Sequence, residues 1–373
     1  MRSLPNTAAT EWSRARILRF RRDLLRWYHR EKRQLPWREV ADPYKIWISE
    51  VMLQQTQVAT VLNYYPKFVE KYPTVEQLAR ASGREVLKVW EKMGYYARAR
   101  NLHKAAGVVV KEHGGKVPGD YDAFRRLPGV GDYIASAVQS IAFAAPHAVV
   151  DGNVKRVLSR LFLLPFAVND SRRHSEFKEI ARDLMEPGEP GAFNQAMMEL
   201  GAIVCRPQKP LCRNCPVSTF CAAEREKRQA EFPRRKVKPK IPTYHVAIGI
   251  VFRKGKLLIT RRRDEGLLGG LWEFPGGKIK AGETAKQACR REILEEVNLK
   301  IEVLDTLAEV KHAYSHFKIQ MKAYCCRWIS GRIRLNGPAE ARWISPNDLD
   351  GFPFPAANLK FFPALKQYIN SNR

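Results

Sequence analysis

The chain has 373 residues, with 65 Lys or Arg against 38 Asp or Glu, giving a net charge of +27 and a pI near 10.0. That length suits two ordinary domains, and 45% hydrophobic content excludes wholesale disorder. No stretch reaches the ~18 apolar residues of a membrane span, so no membrane partner is expected, and the positive field points to a polyanion, nucleic acid first.

Taken in chain order, the Arg-rich start is interrupted by Glu11 and Asp23 and has no apolar run behind it. It reads as an amphipathic helix rather than a signal peptide. Apolar residues at helical spacing then predict helices over 17–28, 44–69, 84–110, 132–143, 153–164, 176–185 and 192–204, separated by Pro and Gly breaks. In the second of these, Glu50 has Ile46, Trp47 and Leu53 as helical neighbours. An apolar face would raise its pKa and hold a proton ready for general acid chemistry, although a buried, ion-paired carboxylate satisfies the same pattern. Leu127-Pro128-Gly129-Val130-Gly131 opens the helix at 132–143, and two glycines there expose successive N–H groups that can hold a phosphate without reading sequence.

Asp151 follows the apolar run Ala148-Val149-Val150 and precedes the helix at 153–164. A helix N-terminus favours the ionised carboxylate, and a plain helix cap is the simpler reading. One carboxyl held neutral and one held charged is the pair that glycosidic cleavage requires. Cys205, Cys212, Cys215 and Cys221 follow with a C-x6-C-x2-C-x5-C spacing. Four thiolates this close suit zinc or an iron–sulfur cluster; the uneven spacers lean toward [4Fe-4S]. The other cysteines (Cys289, Cys325, Cys326) are scattered, which argues against a disulfide framework.

The helical domain is therefore expected over 12–221. A basic, Pro-containing segment over 222–243 reads as an extended interdomain linker. From 244 to 368 the pattern changes to strands: His245–Arg253 and Lys256–Arg261 form a hairpin, a helix spans about 284–297, and strands lie near 301–311, 316–329 and 340–344.

The segment Glu50-Val51-Met52-Leu53-Gln54-Gln55-Thr56-Gln57-Val58, the Leu127–Gly131 hairpin, Val150-Asp151-Gly152-Asn153-Val154 and the four cysteines together resemble the MutY-type adenine DNA glycosylase family, over about 17–364. The resemblance implies a multidomain protein: an all-α helix-hairpin-helix domain carrying a [4Fe-4S] cluster on the four cysteines, then an α+β Nudix-like domain. It implies excision of adenine mispaired with 8-oxoguanine or guanine in double-stranded DNA, by a cytoplasmic, nucleoid-associated monomer. Glu50 would protonate the adenine, at N7, and Asp151 would stabilise or attack the sugar cation. Tyr133 stands where the strand-cleaving endonuclease III-like relatives have a lysine, so no Schiff base is expected. Its hydroxyl is left to bond near the sugar with Asp151 and Asn153.

By the same resemblance Arg33, Trp37 and Gln195 would line the adenine pocket. Gln55 and Tyr95 would wedge the base stack, and Leu127, Gly129, Val130 and Gly131 would hold the DNA backbone. Thr56, Tyr314, Ser315 and His316 would recognise 8-oxoguanine; Tyr314 replaces a phenylalanine common in the family, and Met93 a leucine. Gly277-x5-Glu283-x7-Arg291-Glu292-Ile293-x-Glu295-Glu296 resembles a Nudix box with only its last glycine changed, to Asn298. Glu292, Glu295 and Glu296 share a helical face that could hold a divalent ion. The rival readings are a bifunctional glycosylase-lyase, a Nudix diphosphatase fused to a DNA-binding module, and a non-catalytic DNA-binding protein.

Overall fold

The computed structural model describes residues 12–237 and 241–371; Glu11 lies outside them. The helices in chain order are α1 (Arg14–Glu31), α2 (Pro43–Leu53), α3 (Val58–Lys71), α4 (Val75–Arg80), α5 (Gly83–Val89), α6 (Ala97–His113), α7 (Tyr121–Arg125), α8 (Asp132–Phe143), α9 (Gly152–Phe162), α10 (His174–Leu184), α11 (Pro190–Glu199) and α12 (Ala222–Arg225). The strands are β1 (Thr243–Arg253), β2 (Lys256–Arg261), β3 (Trp272–Glu273), β4 (Gly276–Lys278), β5 (Lys300–Ala313), β6 (Lys318–Ser330) and β7 (Glu340–Ile344), with α13 (Ala285–Val297), α14 (Ala356–Leu359) and α15 (Phe362–Ser371) around them. Two predicted helices are each broken in two. The run 44–69 is interrupted between α2 and α3, where Gln55 has φ 54°, and 84–110 between α5 and α6, where Tyr95 has φ 48°. Apolar periodicity continues across both breaks, so spacing alone concealed them.

Of the described residues, those up to Glu76 and from Ala105 to 237 form one compact unit; Gln77–Lys104 and those from 241 onward form the other. In the first, α1, α9, α10 and α11 surround a core containing Phe20, Leu24, Leu158, Phe177 and Phe193. The basic segment after Cys221 does not run free through its whole length. It opens with α12, buries Phe232 (3% exposed), and accepts a bond at the Arg234 carbonyl from Val168 N–H (3.0 Å). One aromatic side chain and the carbonyls facing Arg160 are enough to hold a stretch whose composition reads as unstructured.

The second unit is built on a seven-stranded sheet in the order β3-β2-β1-β6-β5, with β4 pairing β1 and β7 pairing β2. Strands β1 and β6 run parallel, whereas every other pair is antiparallel. On one face α13 packs through Ala288, Cys289, Ile293 and Val297. On the other, Ala357 of α14 and Phe362 and Leu365 of α15 cover Ile250, Phe274 and Ala323.

Candidate active site

Asp42 caps α2, accepting from Tyr44 N–H at 2.9 Å with Pro43 in the first turn, and from Ile46 to Met52 every residue of that helix is buried. Glu50, 5% exposed, lies in this run, and the Tyr133 hydroxyl at the start of α8 donates to its Oε2 at 2.8 Å. Burial pushes the Glu50 carboxyl up to about 7; Asp151 adds to the rise, while the Tyr133 bond and the Arg38 charge oppose it. The same surroundings hold the Tyr133 phenol well above its ordinary value. Its hydroxyl bonds Glu50 and Met198 Sδ (3.7 Å).

Asp151 is the N-cap of α9, its Oδ1 accepting from Val154 N–H at 2.7 Å and its Oδ2 from Asn153 Nδ2 at 2.8 Å. The cap is as expected, but burial opposes the preference of the helix end for the carboxylate. Burial outweighs the N–H donors and raises the Asp151 pKa. What separates the carboxyls is their donors, two N–H groups at Asp151 and one O–H at Glu50. Asn153 is fixed in turn, since Arg156 Nη2 donates to its Oδ1 at 2.8 Å. The π-helical turn Leu200–Val204 passes so near that a Cβ on Gly201 would lie 2.5 Å from the Asn153 Cβ, so glycine is needed there. Arg156 (6% exposed) also bonds the carbonyls of Gly201 and Cys205, both at 2.7 Å.

Arg33 donates through Nε and Nη2 to Glu199, each at 2.7 Å, and Arg38 Nη2 reaches the same carboxylate at 2.5 Å. Glu199, 1% exposed, is thereby held at about 2, burial pushing it up and the two guanidiniums pulling it further down. Sequence reasoning missed Glu199, although an acid within Ala196-Met197-Met198-Glu199-Leu200 carries the same signal as Glu50. Trp37 is core, 6% exposed and edge-on to Tyr65 with ring centres 5.3 Å apart. Gln195 sits half-buried on α11.

In the hairpin, Leu127 and Val130 are buried anchors, and Gly129 takes φ 76°. Gly131 precedes α8 and leaves its first N–H groups without a side-chain cap. Gln55 is exposed on its left-handed turn, and Thr56 bonds the Gln54 carbonyl at 3.3 Å.

The four clustered cysteines are half-buried, and Cys205, Cys215 and Cys221 pack on the core beneath α9. Burial first, then Glu224 and after it the neighbouring sulfurs, pushes Cys212 up to about 11; burial and its three sister sulfurs push Cys215 up to about 12. Arg160 Nη1 donates to the Cys205 sulfur at 3.3 Å. Four mutually repelling sulfurs with a guanidinium beside one of them fit a group that takes thiolates. Among the described residues no three His, Cys, Asp or Glu side chains converge on a single ion-sized point.

In the second unit the Tyr95 hydroxyl and Ser315 Oγ are 2.5 Å apart. Tyr314 does not project. Its ring packs against Phe317 and His312 at 4.8 and 4.6 Å, while Ser315 and His316 are exposed. Arg291 pairs with Glu292 and Glu295 of α13 at 2.8 and 3.1 Å, and with Glu283 before it at 2.6 Å. Glu296 instead accepts from Gly276 N–H at 3.1 Å, and burial together with the Glu273 charge pushes it up to about 7.

Residues 48–187 match the HhH-GPD superfamily of base excision DNA repair proteins, and 247–364 match the NUDIX domain. The human adenine DNA glycosylase is 36% identical over 93% of this chain and 74% of its own length. The Arabidopsis thaliana adenine DNA glycosylase is 35% identical over 82% of this chain. The chain belongs to the adenine DNA glycosylases. As a member it is a DNA N-glycosylase of base excision repair, built from a helix-hairpin-helix domain and a Nudix-like domain. Among solved structures, a thermostable thymine-DNA glycosylase is similar over 56% of this chain and 97% of its own, with 34% identity and TM-score 0.52. A trapped endonuclease III–DNA covalent intermediate matches over 58% of this chain, with 26% identity and TM-score 0.50. No helix among the described residues is long and apolar enough to cross a membrane.

Proposed function

We propose that the chain hydrolyses the N-glycosidic bond of adenine mispaired with 8-oxoguanine or guanine, without cutting the strand. The observation that carries this reading is Glu50, buried, raised to about 7 and bonded to a tyrosine rather than facing an amine. Protonated Glu50 gives its proton to adenine N7 as the bond from the sugar C1′ to N9 breaks, and the bonding electrons leave with the purine. Asp151, as the carboxylate, faces the oxocarbenium-like sugar, and a water molecule then adds at C1′ and surrenders its proton to the Glu50 carboxylate, which restores the acid. Asn153 keeps Asp151 in place, and Tyr133 does the same for Glu50.

Around this chemistry, the N–H groups of Gly129 and Gly131 hold backbone phosphates, and Gln55 offsets the unstacking of an extruded base. Glu199 clamps Arg33 beside the base pocket with Trp37 and Gln195. Ser315 and His316 recognise the oxidised guanine. Cys205, Cys212, Cys215 and Cys221 hold a [4Fe-4S] cluster, which when bound ties the 205–221 segment into one shape. The protein works as a cytoplasmic monomer on duplex DNA.

Single-turnover excision from A:8-oxoguanine, A:G and A:C duplexes tests the reading. Adenine release without strand breaks, lost in Glu50→Gln, is expected. Full activity in that variant, or an adduct trapped by borohydride, overturns it.

A further inference from the structure

Within the second unit, a cavity of about 490 Å³ opens between α5, α6 and the β2–β7 edge of the sheet. Organic ligands occupy sites of roughly 300–1,000 Å³, so a mononucleotide fits and a DNA duplex does not. Its floor is apolar, from Val86, Leu87 and Trp272, all buried. Its walls are cationic: Arg84, Arg100, Lys104, Arg261 and Arg342 stand against only Asp264 and Glu340.

Those two carboxylates are already engaged. Arg261 bonds Asp264 at 3.0 Å and Glu340 at 3.3 Å, and Arg342 shares Glu340 at 2.5 Å. The remaining three cations have no ion pair among the described residues. Arg84 lies over the Phe352 ring at 5.4 Å, and Lys104 projects exposed from the end of the lining stretch of α6. Arg100 is the most telling. Its guanidinium is half-buried and meets two neutral carbonyls, Gly269 at 2.7 Å and Gly266 at 3.3 Å. Partial burial pushes its pKa down against the opposing charges of Asp264 and Glu265, neither of which pairs with it directly. Arg342 also stacks on Trp272 at 5.3 Å, which turns one flat guanidinium face toward the cavity wall.

We propose that this cavity binds a small organic polyphosphate of nucleotide size, its phosphates taken by Arg84, Arg100 and Lys104. The site is independent of Glu50 and Asp151, and of the adenine-excision reading.

Titration calorimetry on the full chain tests it, with ATP and inorganic tripolyphosphate as probes, in EDTA, and an 18-base-pair duplex as a parallel arm. The comparison protein carries Arg84→Glu and Lys104→Glu, both exposed positions, and its thermal unfolding is measured alongside. One ATP per chain is expected, weakened roughly tenfold or more in the double variant, because each lost charge-assisted contact with phosphate is a large share of such an affinity. Tripolyphosphate binding as tightly as ATP would assign the recognition to the phosphates alone, and weaker binding would add the nucleoside to it. Equal ATP affinity in the two proteins would place the binding elsewhere on the basic surface and overturn the proposal. So would a variant that loses only duplex affinity while neither protein binds ATP.

Discussion

The Tyr133 hydroxyl donates to Glu50 Oε2 at 2.8 Å, and this bond stabilises the ionised form of a carboxyl that burial otherwise holds at about 7. Tyr133→Phe removes the donor, so the Glu50 pKa rises. If protonated Glu50 is the general acid, excision declines as pH climbs through about 7, and the descending limb in Tyr133→Phe lies at higher pH. The pH profile of single-turnover rates checks this; an unmoved limb would sever Tyr133 from the acid.

Glu50→Gln separates activity from stability. A carboxyl whose folded pKa is raised favours the native state fully only below its unfolded value, near 4.5, and loses that contribution as pH rises toward about 7. The neutral amide escapes this penalty. The variant is therefore inactive yet more stable than the parent at pH 8, by roughly 1–3 kcal/mol, and the difference closes near pH 4. Denaturant unfolding at the two pH values is the measurement.

Arg156 bonds Asn153 on one side and the Cys205 carbonyl on the other, at 2.8 and 2.7 Å. Arg156→Leu leaves buried carbonyls and the Asn153 amide oxygen unmatched, at a cost of roughly 2–4 kcal/mol. Excision slows as Asp151 loses its fixed neighbour, and iron content falls if the cysteine segment loosens with it. Iron assay, melting temperature and single-turnover rate on one preparation read all three.

Tyr95→Phe keeps the ring and deletes the hydroxyl that meets Ser315 Oγ at 2.5 Å. With Ser315 released, the preference for A:8-oxoguanine over A:G should shrink several-fold while excision from A:G is little changed. An unchanged ratio of rates would mean that Ser315 is positioned by other contacts.

Removing the metal tests the cysteine assignment. The purified chain should hold about four irons, absorb in the visible range, and lose both in Cys215→Ser. Zinc in place of iron, with a colourless protein, would return the segment to the other reading that its spacing allowed.

Some of this was legible in the sequence because it is local. The burial of Glu50 followed from neighbours three and four positions away, the Asp151 cap from its place before a helix, and the hairpin of β1 and β2 from alternation around Lys254-Gly255. The upward push of burial on Asp151 was not, because the enclosing residues come from elements far apart in the chain and no spacing records that burial. Glu199 was overlooked for a similar reason, as its partner Arg33 is 166 residues away. The broken helices at Gln55 and Tyr95 hid behind unbroken apolar periodicity. The short helix α14 hid within an aromatic-rich stretch, Phe352 to Phe362, that resembles neither a helix nor a strand. Arg291 was visible in the acidic box, but only the side-chain geometry shows it pairing with three of the box's glutamates.

The segment Gln77–Lys104 belongs to the same compact unit as the C-terminal half. Lys88 Nζ donates to the Phe352 carbonyl at 3.2 Å and Glu91 Oε1 accepts from Phe354 N–H at 3.1 Å, across sequence separations of 264 and 263 residues. During synthesis this stretch therefore leaves the ribosome long before its partners exist. The unit cannot close until Phe352 and Phe354 have been added, and a chain cut at the basic segment would strand Lys88 and Glu91 without the carbonyl and amide they meet.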